Sequence, residues 1–371
     1  MPAFSEPASV YERSNNYLIK EILEQPAVIE ACLAARLDKE NKVILFPELD
    51  KTPVPEFIRI IGCGTSAHAG LWGSKGLENI SEIPVLIDVA SESRYLSTNY
   101  LPNETIIAIS QSGESSDTLA AVKDAKNAGK HIIVITNTPN SKLTQLANTL
   151  ILNRAGPEIA VPATKSMLAQ MLSIYLMSIY WAQRKGVLPR TARDYLFEEL
   201  PVLAENLRQS LPAMQSTARA MALKYRKYRH FLFAGRAINY PLALEGALKF
   251  KEITYIHAEG TSLGAIPHGA RALLDEKVPV FALALSDQHL SKTLQDLNDL
   301  RKQGCKIIAL VNPGQTPSAD DVWSLPVMYG SLSSFLALPA MQLFAYEVGM
   351  ALNRSVDTPR TLSKSVTEKV G

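Results

Sequence analysis

The chain has 371 residues, 47% apolar and 20% charged, with 38 basic against 36 acidic side chains and a net charge of +2. That length suits two domains with well-filled cores, and the charge balance excludes an electrostatic argument for nucleic acid or an anionic membrane as partner. Three cysteines, Cys32, Cys63 and Cys305, form no metal-ligand spacing and no disulfide framework, and they fit a reducing compartment.

The N-terminal stretch Met-Pro-Ala-Phe-Ser-Glu-Pro has no basic region followed by a long apolar run. No secretory signal is therefore expected, and the chain reads as cytoplasmic. Residues 11–34 read as helix, with Ile19, Ile22, Leu23 and Val28 apolar and Pro26 interrupting the run. Pieces broken by Pro47, Pro53 and Pro55 precede residues 57–61, an apolar strand that runs into Gly62-Cys-Gly-Thr-Ser66 and then a helix. Strands follow at residues 84–89, 105–109, 131–136 and 149–152, with a helix from Leu119 stopped by Gly129. The most apolar segment, residues 166–181, falls short of the roughly 20 residues needed to span a bilayer. It also contains Gln170, so a buried or interface helix is expected.

Residues 191–227 read as a helical connector. A second series then begins: a strand at 229–234 leading into Gly235-Arg236, a helix near 241–255, a strand at 278–285, a helix at 290–301, strands at 306–311 and 322–327, and a helix at 335–349. The apolar runs do not alternate with polar residues and helices lie between them, which predicts parallel sheets covered on both faces. The repeated order predicts two copies of one α/β fold. The expected divisions are 1–39 (N-terminal helical segment), 40–190 (first domain), 191–227 (connector), 228–350 (second domain) and 351–371 (C-terminal tail).

Ser110-Gln-Ser-Gly-Glu-Ser115 falls on a strand-to-helix turn, where first-turn N–H groups and the helix dipole favour a bound anion. With no Gly-x-x-x-x-Gly-Lys pattern, the expected guest is a small phosphate ester; the plain alternative is a serine-rich loop with helix caps. The second copy has Ser286-Asp-Gln-His289 at the matching turn, and Asp287 would repel a phosphate, so the phosphate site is assigned to the first domain. Thr65 and Ser66, also at a strand's carboxyl end, are second contributors. Glu245, Lys249 and Glu252, spaced i, i+4 and i+7, share one helix face. They form either a solvated salt-bridge face or a partly buried set suited to moving protons. His268, in a glycine-rich loop after this helix, suits acid–base work near neutral pH, while His257 reads as a structural hydrogen-bonding residue. Lys364 by itself reads as an exposed lysine; held in a cleft, its amine could form an imine with a sugar carbonyl.

These motifs resemble the isomerase half of the glutamine–fructose-6-phosphate aminotransferase family, a tandem pair of sugar-isomerase (SIS) domains. The likeness is carried by Ile22-Leu-Glu-Gln-Pro26, Gly62-Cys-Gly-Thr-Ser66, Ser110-Gln-Ser-Gly-Glu114, Ala163-Thr-Lys165, Ala243-Leu-Glu-Gly-Ala-Leu-Lys249, Lys251-Glu-Ile-Thr-Tyr-Ile-His-Ala-Glu259, His268-Gly269 and Pro359-Arg-Thr-Leu-Ser-Lys-Ser-Val-Thr-Glu368, in family order. It implies two tandem three-layer SIS-type domains, each a mainly parallel sheet flanked by helices, plus a catalytic tail. By resemblance, Ser66, Ser110, Gln111, Ser112 and Ser115 grip the sugar phosphate, with Ser115 standing for a family threonine. Cys63, Gly64, Thr65, Ala163 and Lys165 are further substrate-binding candidates. Lys364 forms the Schiff base, Glu252 shuttles a proton between C1 and C2, His268 helps open the ring, and Lys249 and Glu245 support these transfers. The resemblance also implies a homodimer in which the histidine loop reaches the neighbouring subunit.

The chain departs from that pattern. The family's Gly-Glu-Leu-Lys-His-Gly-Pro loop is here Gly264-Ala-Ile-Pro-His-Gly-Ala270, without the carboxylate and the lysine, and the serine before Thr-Lys is Ala163. No glutamine-hydrolysing domain precedes the motifs, so hydrolysis of glutamine by this chain is not expected. The favoured expectation is an enzyme that converts a hexosamine 6-phosphate, glucosamine 6-phosphate first, to fructose 6-phosphate and ammonia without metal or organic cofactor. Alternatives are a plain aldose–ketose isomerase, an aminotransferase subunit fed ammonia by a partner, and a non-catalytic sugar-phosphate sensor. Retention of Glu252, His268 and Lys364 together argues against the sensor, because binding needs only the serine turn.

Overall fold

The computed structural model describes residues 15–96 and 98–365. Of the predicted N-terminal helix, residues 11–14 lie outside that description; the rest forms α1 (Tyr17–Leu23) and α2 (Gln25–Ala34). Pro26 sits at the second position of α2, within the first turn, where the missing N–H has no intrahelical partner to lose.

The described chain divides into two compact units. The first comprises Ala27–Glu158, Lys165–Val202 and the chain from Ser363. Its sheet contains β1 (Phe57–Gly62), β2 (Val85–Val89), β3 (Glu104–Ser110), β4 (His131–Thr136) and β5 (Thr149–Leu152), all parallel, in the order β2-β1-β3-β4-β5. Every residue of the central β3 is buried, and so is β4 beyond its first residue. The edge strands β2 and β5 are half-exposed. Apolar β-branched runs without alternation are what a strand covered on both faces requires. Helices α3 (Gly64–Ser81) and α4 (Ser116–Asn127) follow β1 and β3, and α5 (Lys165–Lys185) is buried at every side chain from Lys165 through Ala182. It is the apolar segment read as a buried helix, and no described helix is long and apolar enough to cross a membrane.

The predicted connector is α6 (Arg190–Glu199) and α7 (Leu203–Tyr225). The second unit comprises the chain up to Pro26, Ile159–Thr164 and Leu203–Leu362. Its sheet contains β6 (His230–Gly235), β7 (His257–Ser262), β8 (Val280–Ala284), β9 (Ile307–Val311) and β10 (Asp321–Ser324) in the order β7-β6-β8-β9-β10, again all parallel. Its helices are α8 (Asn239–Thr254), α9 (Leu290–Lys302) and α10 (Ser334–Ala351). The two strand orders are the same, so the repeat in the sequence is a repeat of topology.

One stretch corrects the sequence reading. The segment from His257, expected as a glycine-rich loop, begins with β7, paired residue for residue with β6 from His230↔His257 to Gly235↔Ser262. A short 3-10 helix, Leu263–His268, follows. The strand has no apolar run because it is an edge strand in which Ala258 alone is fully buried.

Candidate active site

In a sheet of this order ligands bind at the switch point, where the loops after the first and third strands diverge. In the first unit those loops are Cys63–Ser66 and Ser110–Ser115. Gly113 adopts φ +67°, and a Cβ there would lie 2.0 Å from Ser141 Oγ, so only glycine fits. Its N–H donates to Ser110 Oγ at 3.0 Å, and the Glu114 N–H donates to Ser112 Oγ at 3.2 Å. Ser110 and Ser115 hydroxyls stand 3.4 Å apart. Ser115 occupies the N-cap position of α4 yet makes no side-chain cap bond. Gln111 is held through its carbonyl, which accepts from the Asn137 N–H at 3.2 Å and the Thr138 hydroxyl at 3.1 Å. Among the described residues its side-chain amide makes no hydrogen bond. Glu114 clamps the turn from outside: the Lys142 N–H, then its ammonium, hold the Glu114 carboxyl below the usual carboxylate range.

Ser66 is buried on the first turns of α3 and accepts from Gln170 Nε2 at 3.1 Å. Accepting through its oxygen leaves Ser66 its O–H as a donor. Cys63 is the N-cap residue of α3 and takes a long contact from the Thr118 hydroxyl at 3.7 Å; burial pushes its thiol up. Gly64 opens α3 with φ +49°, and Thr65 follows it. Lys165 is buried at the first position of α5. Ala163 lies half-buried in the 159–164 segment that clusters with the second unit.

Lys364 also belongs to the first unit, with a quarter of its side chain exposed and its Nζ 2.8 Å from Glu158 Oε2. The Glu158 carboxylate is fully buried and accepts from the Ser166 N–H at 3.1 Å and the Ser166 hydroxyl at 2.7 Å. Ser166 and Gln170 are i, i+4 on α5, about 6 Å apart along its axis. One helix face thus holds Lys364, through Glu158, and Ser66, through Gln170.

In the second unit, α8 carries the Glu-Lys-Glu set, and the solvated-face alternative does not hold. Glu245 and Lys249 are buried, and Lys249 Nζ lies 3.6 Å from Glu245 Oε1 and 2.5 Å from Glu252 Oε2. Glu252 keeps 21% of its side chain exposed, so one carboxylate of the three charges opens outward. Gly246 permits this burial, since a Cβ there would meet Met341 Sδ at 2.7 Å and Phe233 Cδ1 at 2.8 Å. His268 is exposed at the end of the 3-10 helix and makes no hydrogen bond among the described residues. His257 is exposed too, its Nδ1 3.5 Å from His230 Nδ1.

Sequence reasoning missed Glu158 and Gln170. A lone amide inside an apolar helix was the available signal for Gln170; Glu158, 206 residues from Lys364, offered none. It also missed Asp357, whose carboxylate accepts from the Tyr17 N–H at 2.9 Å and the Leu18 N–H at 2.8 Å and so caps α1. The tail beyond Asp357 is anchored within the same unit where the Arg360 N–H donates to the Tyr255 hydroxyl at 2.9 Å and its guanidinium lies 4.7 Å from the Tyr255 ring centre.

Comparison with known proteins agrees with this fold. A glutamine–fructose-6-phosphate aminotransferase (isomerizing) of Thermus thermophilus is 38% identical over 359 residues, covering 95% of this chain and 59% of that protein. One from Gloeobacter violaceus is 38% identical over 369 residues, covering 97% of this chain and 60% of that protein. The chain therefore spans about three-fifths of the length of these relatives. Among solved structures, the C-terminal domain of glucosamine-fructose-6-phosphate aminotransferase from Francisella tularensis superposes with a TM-score of 0.88 at 29% identity, covering 93% of this chain and 98% of that one. A glucosamine-6-phosphate deaminase from Thermotoga maritima shares the fold, with a TM-score of 0.73 at 21% identity over 95% of this chain and all of that one. Residues 56–180 and 224–322 match the SIS domain, one stretch in each sheet-bearing half, and the chain belongs to the SIS domain family.

Proposed function

We propose that the chain is a phosphosugar isomerase of the deaminating kind, converting glucosamine 6-phosphate to fructose 6-phosphate and ammonia. The observation that carries the reading is the single face of α5 that ties Lys364, through Glu158, and Ser66, through Gln170, about one helical turn apart. A phosphate grip and a primary amine anchored to one helix face suit a short phosphorylated sugar with a carbonyl at its other end.

The serine turn holds the phosphate, and that remote binding energy fixes the reacting carbons. His268 assists opening of the ring. Glu252 removes the C2 proton of the open amino-aldose and returns it to C1, while O1 gains a proton and the nitrogen loses one, giving a C2 ketimine. Lys364 attacks C2 and displaces ammonia; water then hydrolyses the lysine imine, releasing fructose 6-phosphate and restoring the amine. One water is consumed for each ammonia released. No step draws on a metal or an organic cofactor. In the dimeric reading, the exposed His268 serves the neighbouring subunit.

The test is ammonia and fructose 6-phosphate released from glucosamine 6-phosphate by the purified chain with EDTA present. Equal yields are expected; no release of either product overturns the deaminating reading. Identity to aminotransferases favours a second reading, the same steps run in reverse with ammonia from a partner. Glucosamine 6-phosphate formed from fructose 6-phosphate and ammonium, with no net deamination, would select it. Borohydride with fructose 6-phosphate should trap an adduct on the native chain and none on K364A. An undiminished adduct on K364A removes Lys364 from its role.

A further inference from the structure

We propose that Glu158 is the positioning residue of the lysine imine: it orients the Lys364 nitrogen and neutralises the positive charge that nitrogen carries once the imine has formed. The inference rests on the lysine-imine reading above and adds a residue to it.

Three observations meet at this carboxylate. It is fully buried, and Oε2 lies 2.8 Å from Lys364 Nζ. It also holds bonds independent of Lys364, from the Ser166 N–H at 3.1 Å to Oε1 and the Ser166 hydroxyl at 2.7 Å to Oε2. These donors sit at the first turn of the 21-residue α5, where the helix dipole favours negative charge. The first turn of α5, to which Glu158 itself does not belong, thus holds this carboxylate in place while the chemistry at Lys364 changes the charge there. A carboxylate held in this way acts as a preorganised dipole, which loses nothing to solvent reorganisation when charge develops opposite it.

The step balances as follows. The Lys364 ammonium first gives one proton to a base in the site; the amine then forms a C–N bond to C2 of an open-chain ketose, the carbonyl π pair moves to oxygen, and one proton transfers from nitrogen to that oxygen. The nitrogen lone pair then expels the oxygen, which leaves as water with a second proton from an acid in the site. The product is a C=N–H cation whose N–H points along the bond that the ammonium made to Glu158 Oε2. A cationic imine draws electrons from C2 and opens that carbon to the water that hydrolyses it. An uncompensated cation in a partly buried site would be disfavoured. In the resting chain the same contact keeps a flexible lysine in one orientation.

The experiment uses the full-length chain and two variants, E158Q and E158D. Turnover, KM for the phosphosugar, borohydride trapping with fructose 6-phosphate, and inhibition by inorganic phosphate are measured for each. Losing one charge-assisted hydrogen bond should lower kcat of E158Q by about 10- to 100-fold and deplete the trapped adduct in proportion, while KM and phosphate inhibition stay within about twofold of the native chain. E158D keeps the charge on a shorter arm and should recover part of the kcat and of the adduct. Native kcat and trapping in E158Q overturn the proposal while leaving the role of Lys364 intact. A parallel loss of phosphate inhibition makes Glu158 a structural cap of α5 and also overturns it. No trapping in the native chain removes the lysine-imine reading itself, and this inference with it.

Discussion

Replacing Gly113 by alanine should break the serine turn, and the cost can be apportioned. Two terms act. The residue keeps a left-handed φ of +67°, which costs a non-glycine residue about 1–2 kcal/mol. The new methyl lies 2.0 Å from Ser141 Oγ and 2.6 Å from Ser141 Cβ, and Ser141 has little room to retreat. Its carbonyl accepts from the Thr144 hydroxyl at 2.6 Å and the Thr144 N–H at 3.1 Å, and the next turn is tied to Gly113 itself by the Leu143 N–H at 3.0 Å from its carbonyl. Overpacking of this kind costs about 1–3 kcal/mol, so G113A should lose about 2–5 kcal/mol in all. Urea unfolding of G113A, S141G and the double variant measures it. S141G removes both atoms the methyl strikes and by itself should cost about 0.5–1 kcal/mol through backbone entropy. The double variant should therefore be more stable than the sum of the singles by about the overpacking share, a coupling of about 1–3 kcal/mol. Inhibition by inorganic phosphate should weaken in G113A, because the Gly113 N–H fixes the Ser110 hydroxyl. Native stability in G113A, or strict additivity in the double variant, refutes the argument.

Arg59 on β1 reaches Glu104 on β3 at 2.8 Å and Asp88 on β2 at 2.9 Å, and the Glu104 side chain is fully buried. R59A strands that carboxylate and should cost about 3–5 kcal/mol in urea unfolding, with much of it recovered by E104Q in the same chain. Burial holds the half-buried His131 below its ordinary value of 6.5. As pH falls below 6.5 the unfolded chain takes up that proton first, so folded stability should decline until the depressed folded value is passed. H131Q should flatten this slope in thermal melts between pH 7 and pH 5, and an unchanged slope rejects the assignment. The Cys63 thiol, pushed up by burial, should react with iodoacetamide at pH 8 more slowly than a free cysteine. Loss of the Thr118 hydrogen bond, which favours the thiolate, should slow T118V further.

The central strands were legible because burial on both faces leaves an uninterrupted apolar signature, as in Glu104–Ser110 and Val280–Ala284. The serine turn was legible because a turn is a local device: its glycine, its hydroxyls and its following helix all sit between Ser110 and Asn127. The strand from His257 to Ser262 was not, because an edge strand buries too little to need apolar residues. Only the repeat pointed to it. Every element of the first sheet had a counterpart in the second except β2, and β7 fills that place. The i, i+4, i+7 spacing of Glu245, Lys249 and Glu252 showed which face they share, but burial depends on Phe233 and Met341, which arrive from other elements. Glu158 is the far case, since its partner Lys364 is distant in the chain and joined to it by tertiary structure alone.

The two copies share one topology, and on the proposed reading they divide two chemistries that conflict at close range. An anion turn must present donors. In the first unit the Ser115 hydroxyl makes no cap bond, Ser66 has its O–H to give, and the nearby Asp117 carboxylate is paired with Arg94 at 2.6 Å. The corresponding turn of the second unit is consumed internally. Ser286 donates its N–H to Asn312 Oδ1 at 2.8 Å and accepts from Gln315 at 2.7 Å, while Asp287 accepts from the His289 N–H at 2.7 Å. With its polar groups satisfied and a carboxylate among them, that turn has lost the means to hold a phosphate. A proton-moving carboxylate built into an anion turn would repel the dianion it served, and the dianion would bias the carboxylate toward its protonated form. On the proposed reading, Glu252 stands outside the anion turn, on α8 of the other copy and beside a buried lysine that compensates it.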